Sequence, residues 1–209
     1  MSLIQRLKQV SLFNLFSTEE EKNIGVYGPP NSGKTTLSNR ISADFSDTEM
    51  GSASSVPHET RDVTNEEVEI QRDGSTVSFK IIDTPGIATS VDYEDFLEHG
   101  IDEDEAIERS REATEGITEA LRWLKEDVDG VIYVLDSTEN PFVQVNTMVT
   151  GLIESENIPI LIFANKTDLE ESNVGRIENA FPQHPVVPLS AKHGYNMESV
   201  YENIVAKFG

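Results

Sequence analysis

Gly28-Pro29-Pro30-Asn31-Ser32-Gly33-Lys34-Thr35 is the stretch on which the fold turns. It has the spacing G-x-x-x-x-G-K-[ST]. Glycine is needed where a backbone bends tightly around phosphate oxygens and presents its N–H groups to them. The Lys34 ammonium would neutralise β- and γ-oxygens, and the Thr35 hydroxyl would ligate Mg²⁺. Asn31, Ser32, Gly33 and Thr36 complete the expected phosphate cradle. A match to the pattern means little unless a strand precedes it and a helix follows. Asn23 to Gly28 reads as a short buried strand, and Gly33 to about Phe45 reads as a helix whose positive end faces the loop.

Strands and helices alternate beyond this point. Glu67 to Gln71 and Val77 to Ile82 alternate at period two around Asp73-Gly74, a hairpin signal. Val131 to Leu135 and Ile160 to Ala164 are continuous apolar runs, as in strands covered on both faces. Pro185 to Leu189 is a further short strand. Helices are expected near 103–126, 142–156, 171–180 and 196–208. In the first of these Asp102 is the N-cap, and Ile107, Ile117, Ala120, Leu121 and Leu124 form the apolar face. One hairpin in a β/α alternation predicts an α/β fold, a mostly parallel sheet with one antiparallel edge strand and helices on both faces.

Three later motifs each follow a strand. Asp83-Thr84-Pro85-Gly86 puts a carboxylate where it can hold Mg²⁺, with the Gly86 N–H available to a γ-phosphate. Asn165-Lys166-Thr167-Asp168 offers a carboxylate, Asp168, that can accept two hydrogen bonds from guanine N1–H and the 2-amino group. Adenine cannot supply both, and sites built on such bonds reject the analogue lacking them. Ser190-Ala191-Lys192 can offer a backbone N–H to guanine O6. Each motif alone is weak. Their order, each at a strand end, places them at one crevice.

Together GPPNSGKT, DTPG, NKTD and SAK resemble the TRAFAC-class GTPases, nearest the Era/TrmE/Der group, over residues 22 to 209. The resemblance implies a Ras-like P-loop G domain that binds GTP and GDP, uses Mg²⁺ and hydrolyses GTP as a switch. His58-Glu59-Thr60-Arg61-Asp62 resembles the group's first switch, making Thr60 a Mg²⁺ ligand, although Glu59 departs from the usual small polar residue. Lys34, Thr60, Gly86 and Asn31 are then the catalytic candidates. Ile87 stands where Ras-like enzymes carry a water-orienting Gln. Asn31 stands where potassium-activated members have an Asn ligating K⁺, which would supply the charge of an arginine finger, often across a G-domain dimer. The alternative is that Asn31 only stabilises its loop. Tyr93 and Phe96, in a long acidic second switch, are read as a partner surface. The four histidines, His58, His99, His184 and His193, show no metal-ligand spacing.

Charge bounds the partners. The 209 residues carry 38 acids and 16 bases, a net of −22. Such a surface repels phosphate backbones and argues against direct nucleic-acid binding. A dispersed acid excess fits the strong screening of a halophilic, potassium-rich archaeal cell; a merely acidic mesophilic protein is the alternative. With no Cys there are no disulfides, no thiolate metal sites and no prenylation. No apolar run reaches membrane-spanning length, and no secretion leader is visible, which predicts a cytoplasmic protein.

Residues 1–21 read as an N-terminal amphipathic segment ahead of a G domain at 22–209. Residues 1–16 hold no acid and two bases, Arg6 and Lys8, with Leu3, Ile4, Leu7 and Val10 on one helical face. Two readings stay open: packing on the G domain, or peripheral contact with an anionic membrane as in the Arf/Sar-type GTPases. Length, charge and this segment resemble archaeal small GTPases linked to vesicle formation, the preferred cellular role. The alternatives are a ribosome-assembly or RNA-modification GTPase acting through a protein partner, and a GTP-binding scaffold that does not hydrolyse. Era carries a C-terminal RNA-binding domain, and no room for one is expected here.

Overall fold

The computed structural model describes residues 22–45, 64–72, 75–84, 86, 87, 94, 97, 98 and 100–209. The segment 1–21, the Thr60 switch stretch, Pro85, Tyr93, Phe96 and His99 lie outside the described residues, as does the Asp73-Gly74 turn.

Among the described residues six strands form one sheet: β1 (Lys22–Tyr27), β2 (Thr64–Arg72), β3 (Ser75–Asp83), β4 (Gly130–Asp136), β5 (Ile160–Asn165) and β6 (Val186–Pro188). Their order across it is β2-β3-β1-β4-β5-β6. All neighbours are parallel except β2 and β3, which pair antiparallel from Thr64↔Asp83 to Arg72↔Ser75. This is the expected α/β sheet with its single antiparallel edge. The helices are α1 (Lys34–Phe45), α2 (Glu103–Glu126), α3 (Gln144–Ser155), α4 (Val174–Ala180) and α5 (Met197–Phe208).

The apolar runs make two cores because strand side chains alternate between faces. Ile24, Val26, Ile132, Val134, Leu161 and Phe163 pack on one face against Leu37 and Ile41 of α1 and Val200 and Ile204 of α5. Their neighbours Tyr27, Val131, Tyr133, Leu135, Ile160 and Ile162 pack on the other, against Ala120 and Leu124 of α2 and Val149 and Ile153 of α3. Every second residue serves one layer, so β4 and β5 show no polar alternation at all.

Asp102 caps α2 as expected, accepting the Glu105 N–H at 3.1 Å. The expected apolar face needs one correction. Ile107 is exposed and Ala106 is fully buried. At 3.6 residues per turn, eleven residues from Ala106 to Ile117 return to within about 20° of the same face, whereas Ile107 lies about 100° off it. α4 starts at Val174, later than expected, because the Asn173 side chain accepts the Arg176 N–H at 3.1 Å and sets the cap there.

Candidate functional site

The five parallel strands β1, β3, β4, β5 and β6 end on one edge of the sheet, and the loops that follow them meet there. Gly28 follows β1 and closes against β4. A Cβ at Gly28 would lie 2.2 Å from the Val134 carbonyl oxygen, and its φ is +147°. Asn31 and Gly33 also take positive φ, at 58° and 93°. Alternating backbone hand of this kind makes an anion-binding concavity. Among the described residues the Ser32 hydroxyl, buried in this loop, has no hydrogen-bond partner, so a bound oxyanion would satisfy it. Asn31 is exposed on the same loop. Thr36, half-buried, follows in the first turn of α1.

Lys34 opens α1 and is buried, its Nζ donating to the Pro29 carbonyl at 2.9 Å. Burial pushes its ammonium down to about 8, against the opposing pull of Asp83. Asp83 is itself fully buried. Burial raises its carboxyl, while the Thr35 hydroxyl and the Lys34 charge act the other way. Thr35 Oγ1 donates to Asp83 Oδ2 at 2.7 Å. Two hard oxygen donors and a charge that burial disfavours suit a divalent cation such as Mg²⁺. The Thr84 hydroxyl donates to the Val26 carbonyl at 2.7 Å, fixing the turn after β3 to β1.

Gly86 crosses directly over the phosphate loop: a Cβ there would meet Pro30 Cα at 2.6 Å. The next N–H, of Ile87, donates to the Gly28 carbonyl at 3.1 Å. Ile87 is buried in the core. The position that carries a water-orienting side chain in Ras-like enzymes is here part of the hydrophobic packing.

The base-recognition motifs are tied to the phosphate loop by Asn165. Its Nδ2 donates to the Ser32 carbonyl at 2.9 Å, and its Oδ1 accepts the Ala191 N–H at 3.0 Å. One buried amide thus spans three motifs. A Cβ at Gly33 would lie 2.2 Å from that Nδ2. Gly33→Ala should therefore break the bridge, lower nucleotide affinity at least tenfold and cost about 1–3 kcal/mol of stability, through strain and overpacking. Urea melts and nucleotide titrations of the same variant check both, and an unaltered affinity would count against the bridge.

Lys166 has φ 64°, which turns its side chain back so that Nζ lies 2.6 Å from Asp136 Oδ2. Asp136 and Asn165 face each other in the β4–β5 register. The Asp168 carboxylate sits 3.4 Å from His193 Nε2. The Ser190 hydroxyl holds it below the usual carboxylate range, helped by the charges of His193 and Lys192. Ser190 and Ala191 are buried and Lys192 is exposed.

The structure thus gathers the phosphate loop, Asp83, Gly86, Asn165, Lys166, Asp168 and the Ser190–Lys192 loop at one edge. Thr60 lies outside the described residues. Two residues absent from the sequence reading join the group. Asp136 was detectable as a carboxylate ending a buried strand of the same sheet. Arg40 of α1 carried no such signal, because its partners Ala191 and Lys192 are about 150 residues away.

Fold and site define a phosphate-loop nucleotide-binding protein. Residues 23–166 match the model of the 50S ribosome-binding GTPase family, and the chain belongs to that family. GTPase Era of Pseudomonas aeruginosa is 30% identical over 190 residues, covering 88% of this chain and 53% of that protein. GTPase Der of Ruegeria pomeroyi is 25% identical over 208 residues, covering 95% of this chain and 38% of that protein. The chain thus spans about half the length, or less, of these relatives. Among solved structures, Era from Aquifex aeolicus bound to GDP and AlF4⁻ superposes with a TM-score of 0.67 at 21% identity, covering 88% of this chain and 56% of that one. Era in complex with MgGDPNP and nucleotides 1506–1542 of 16S ribosomal RNA gives 0.63 at 21% identity, covering 89% and 56%. The protein is an Era/Der-like P-loop GTPase.

Proposed function

We propose that this chain binds guanine nucleotides, hydrolyses GTP slowly, and works as a switch in ribosome assembly. The observation that carries the nucleotide reading is the Asn165 bridge, which sets the Asp168 motif and the Lys34 loop in one frame. Lys34 and the amides of residues 31–36 hold the phosphates, with the α1 dipole behind them. Thr35 and Asp83 would hold Mg²⁺, with Thr60 as the further ligand expected from the sequence in the triphosphate state, and the ion would supply neutralising charge to the phosphate oxygens. Gly86 senses the γ-phosphate through its N–H, since no side chain fits between it and Pro30. Asp168 reads N1–H and the 2-amino group, and the Ser190–Lys192 loop reads O6.

With Ile87 in the core, no side chain at that position orients the attacking water. Unaided hydrolysis should run near ~10⁻⁴ s⁻¹. K⁺ at Asn31 is the proposed accelerator, and oxygen donors suit it. Asn31→Ala should abolish any excess of phosphate release in KCl over NaCl, while GDP affinity falls by the same factor in both salts, about tenfold at most, because alanine is strained at a φ of 58°. Stimulation that survives the substitution would remove the K⁺ assignment.

The family and the Era relatives support the ribosomal role over the vesicle role, which draws no support from them. The Era complex with 16S ribosomal RNA also weakens the charge-based case against nucleic acid. At −22 this chain would reach an assembling particle through basic protein surfaces. Sedimentation with ribosomal particles in a non-hydrolysable GTP analogue against GDP is the test; equal absence in both states would sink the role. A second reading, peripheral membrane contact, is favoured by the acid-free stretch 1–16 with Arg6 and Lys8. Liposome flotation with and without that stretch decides it.

A further inference from the structure

Ser190-Ala191-Lys192-His193 has four backbone N–H groups, and three are already in use. Ser190 donates to the Tyr195 carbonyl at 3.2 Å, Ala191 to Asn165 Oδ1 at 3.0 Å, and His193 to Ser190 Oγ at 3.3 Å. Among the described residues the Lys192 N–H has no acceptor, which leaves it as the loop donor for a ligand.

That N–H belongs to the same peptide unit as the Ala191 carbonyl. The Ala191 carbonyl accepts from Arg40 Nε at 3.3 Å, and the Lys192 carbonyl accepts from Arg40 Nη2 at 3.3 Å. In a trans peptide the C=O and N–H point in opposite directions. A guanidinium gripping the Ala191 oxygen from α1 therefore directs the Lys192 N–H away from α1 and polarises it as a donor. The chain reverses at Gly194, φ 71°, where a Cβ would lie 3.6 Å from Arg40 Cζ, so the reversal closes over the guanidinium. The planar fork suits two adjacent carbonyls, which the single point donor of a lysine cannot span equally.

We propose that Arg40 is a positioning residue for base selection: by holding two consecutive carbonyls of the 190–193 loop it sets the Lys192 N–H that reads guanine O6. This rests on the guanine-nucleotide reading above. It assigns to α1, the helix of the phosphate loop, a part in choosing the base.

The test compares three nucleotides on the full chain. GDP is the reference. 6-Thio-GDP keeps N1–H and the 2-amino group but replaces O6 by a larger, weaker acceptor. IDP keeps O6 and lacks the 2-amino group that Asp168 reads. Arg40→Ala should shrink the preference for GDP over 6-thio-GDP about tenfold, the worth of one well-placed hydrogen bond, and leave the preference for GDP over IDP unchanged. Arg40→Lys should fall between wild type and Arg40→Ala, and it carries the same comparison if the alanine variant does not fold. A uniform loss of affinity for all three nucleotides, with both ratios preserved, would make Arg40 a structural clamp and overturn the proposal. Wild-type chain that binds none of the three refutes the nucleotide reading instead.

Discussion

Asp168→Asn should invert base preference, turning a chain selective for GDP into one selective for XDP. The expected change in the GDP/XDP affinity ratio is on the order of 10⁴, the scale on which buried hydrogen-bonding sites reject mismatched analogues. An ionised carboxylate only accepts hydrogen bonds, so it needs two donors on the base, N1–H and the 2-amino group. An asparagine amide accepts one and donates one, which matches the N1–H and 2-oxo edge of xanthine. Asp168 is prepared for the first role, because the Ser190 hydroxyl, with His193 and Lys192 behind it, keeps its carboxylate ionised below the usual range. Competition between labelled GDP and XDP on the two proteins reads the ratio. An unaltered preference would mean that the base lies elsewhere.

Lys34→Ala should lower both triphosphate affinity and phosphate release by about 10²–10³, the usual loss when one charge-stabilising donor is removed from such a site. The Lys34 ammonium is buried, donates to the Pro29 carbonyl, and is pushed down to about 8. A desolvated cation facing a phosphate cradle gains more from an incoming anion than an exposed lysine would. Lys34→Arg should not rescue, since the bulkier fork has no room in a site where Lys34 is already almost fully buried. Stopped-flow binding of a fluorescent GTP analogue separates affinity from turnover. Full activity in either variant would overturn the assignment of the phosphate loop.

Which parts of this chain could be read in advance follows from the range of the interactions. Strand β4 and strand β5 were legible because being buried on both faces forces a continuous apolar run. Asp102 was legible because a cap acts within one turn of its helix. Ile107 was misassigned to the buried face because periodicity defines a stripe only to within a residue or so; the contact surface of the sheet selected Ala106. Asp136 lay in plain view at a strand end, yet its pairing with Lys166 depends on the left-handed backbone of Lys166, a non-glycine residue that no local rule places there.

The sequence by itself determined the alternation of strands and helices, the phosphate loop and the guanine motif, since each rests on local spacing: backbone conformation over eight residues, or a carboxylate after a buried strand. Only the tertiary structure decided how these pieces act on one another. Asn165 joining Ser32 to Ala191, Arg40 holding the 190–193 loop and Ile87 turning into the core are contacts between segments 26 to 152 residues apart or between a loop and the core. Such contacts leave no periodic trace, because chain closure over those lengths is governed by the packing of the whole sheet and not by neighbouring residues.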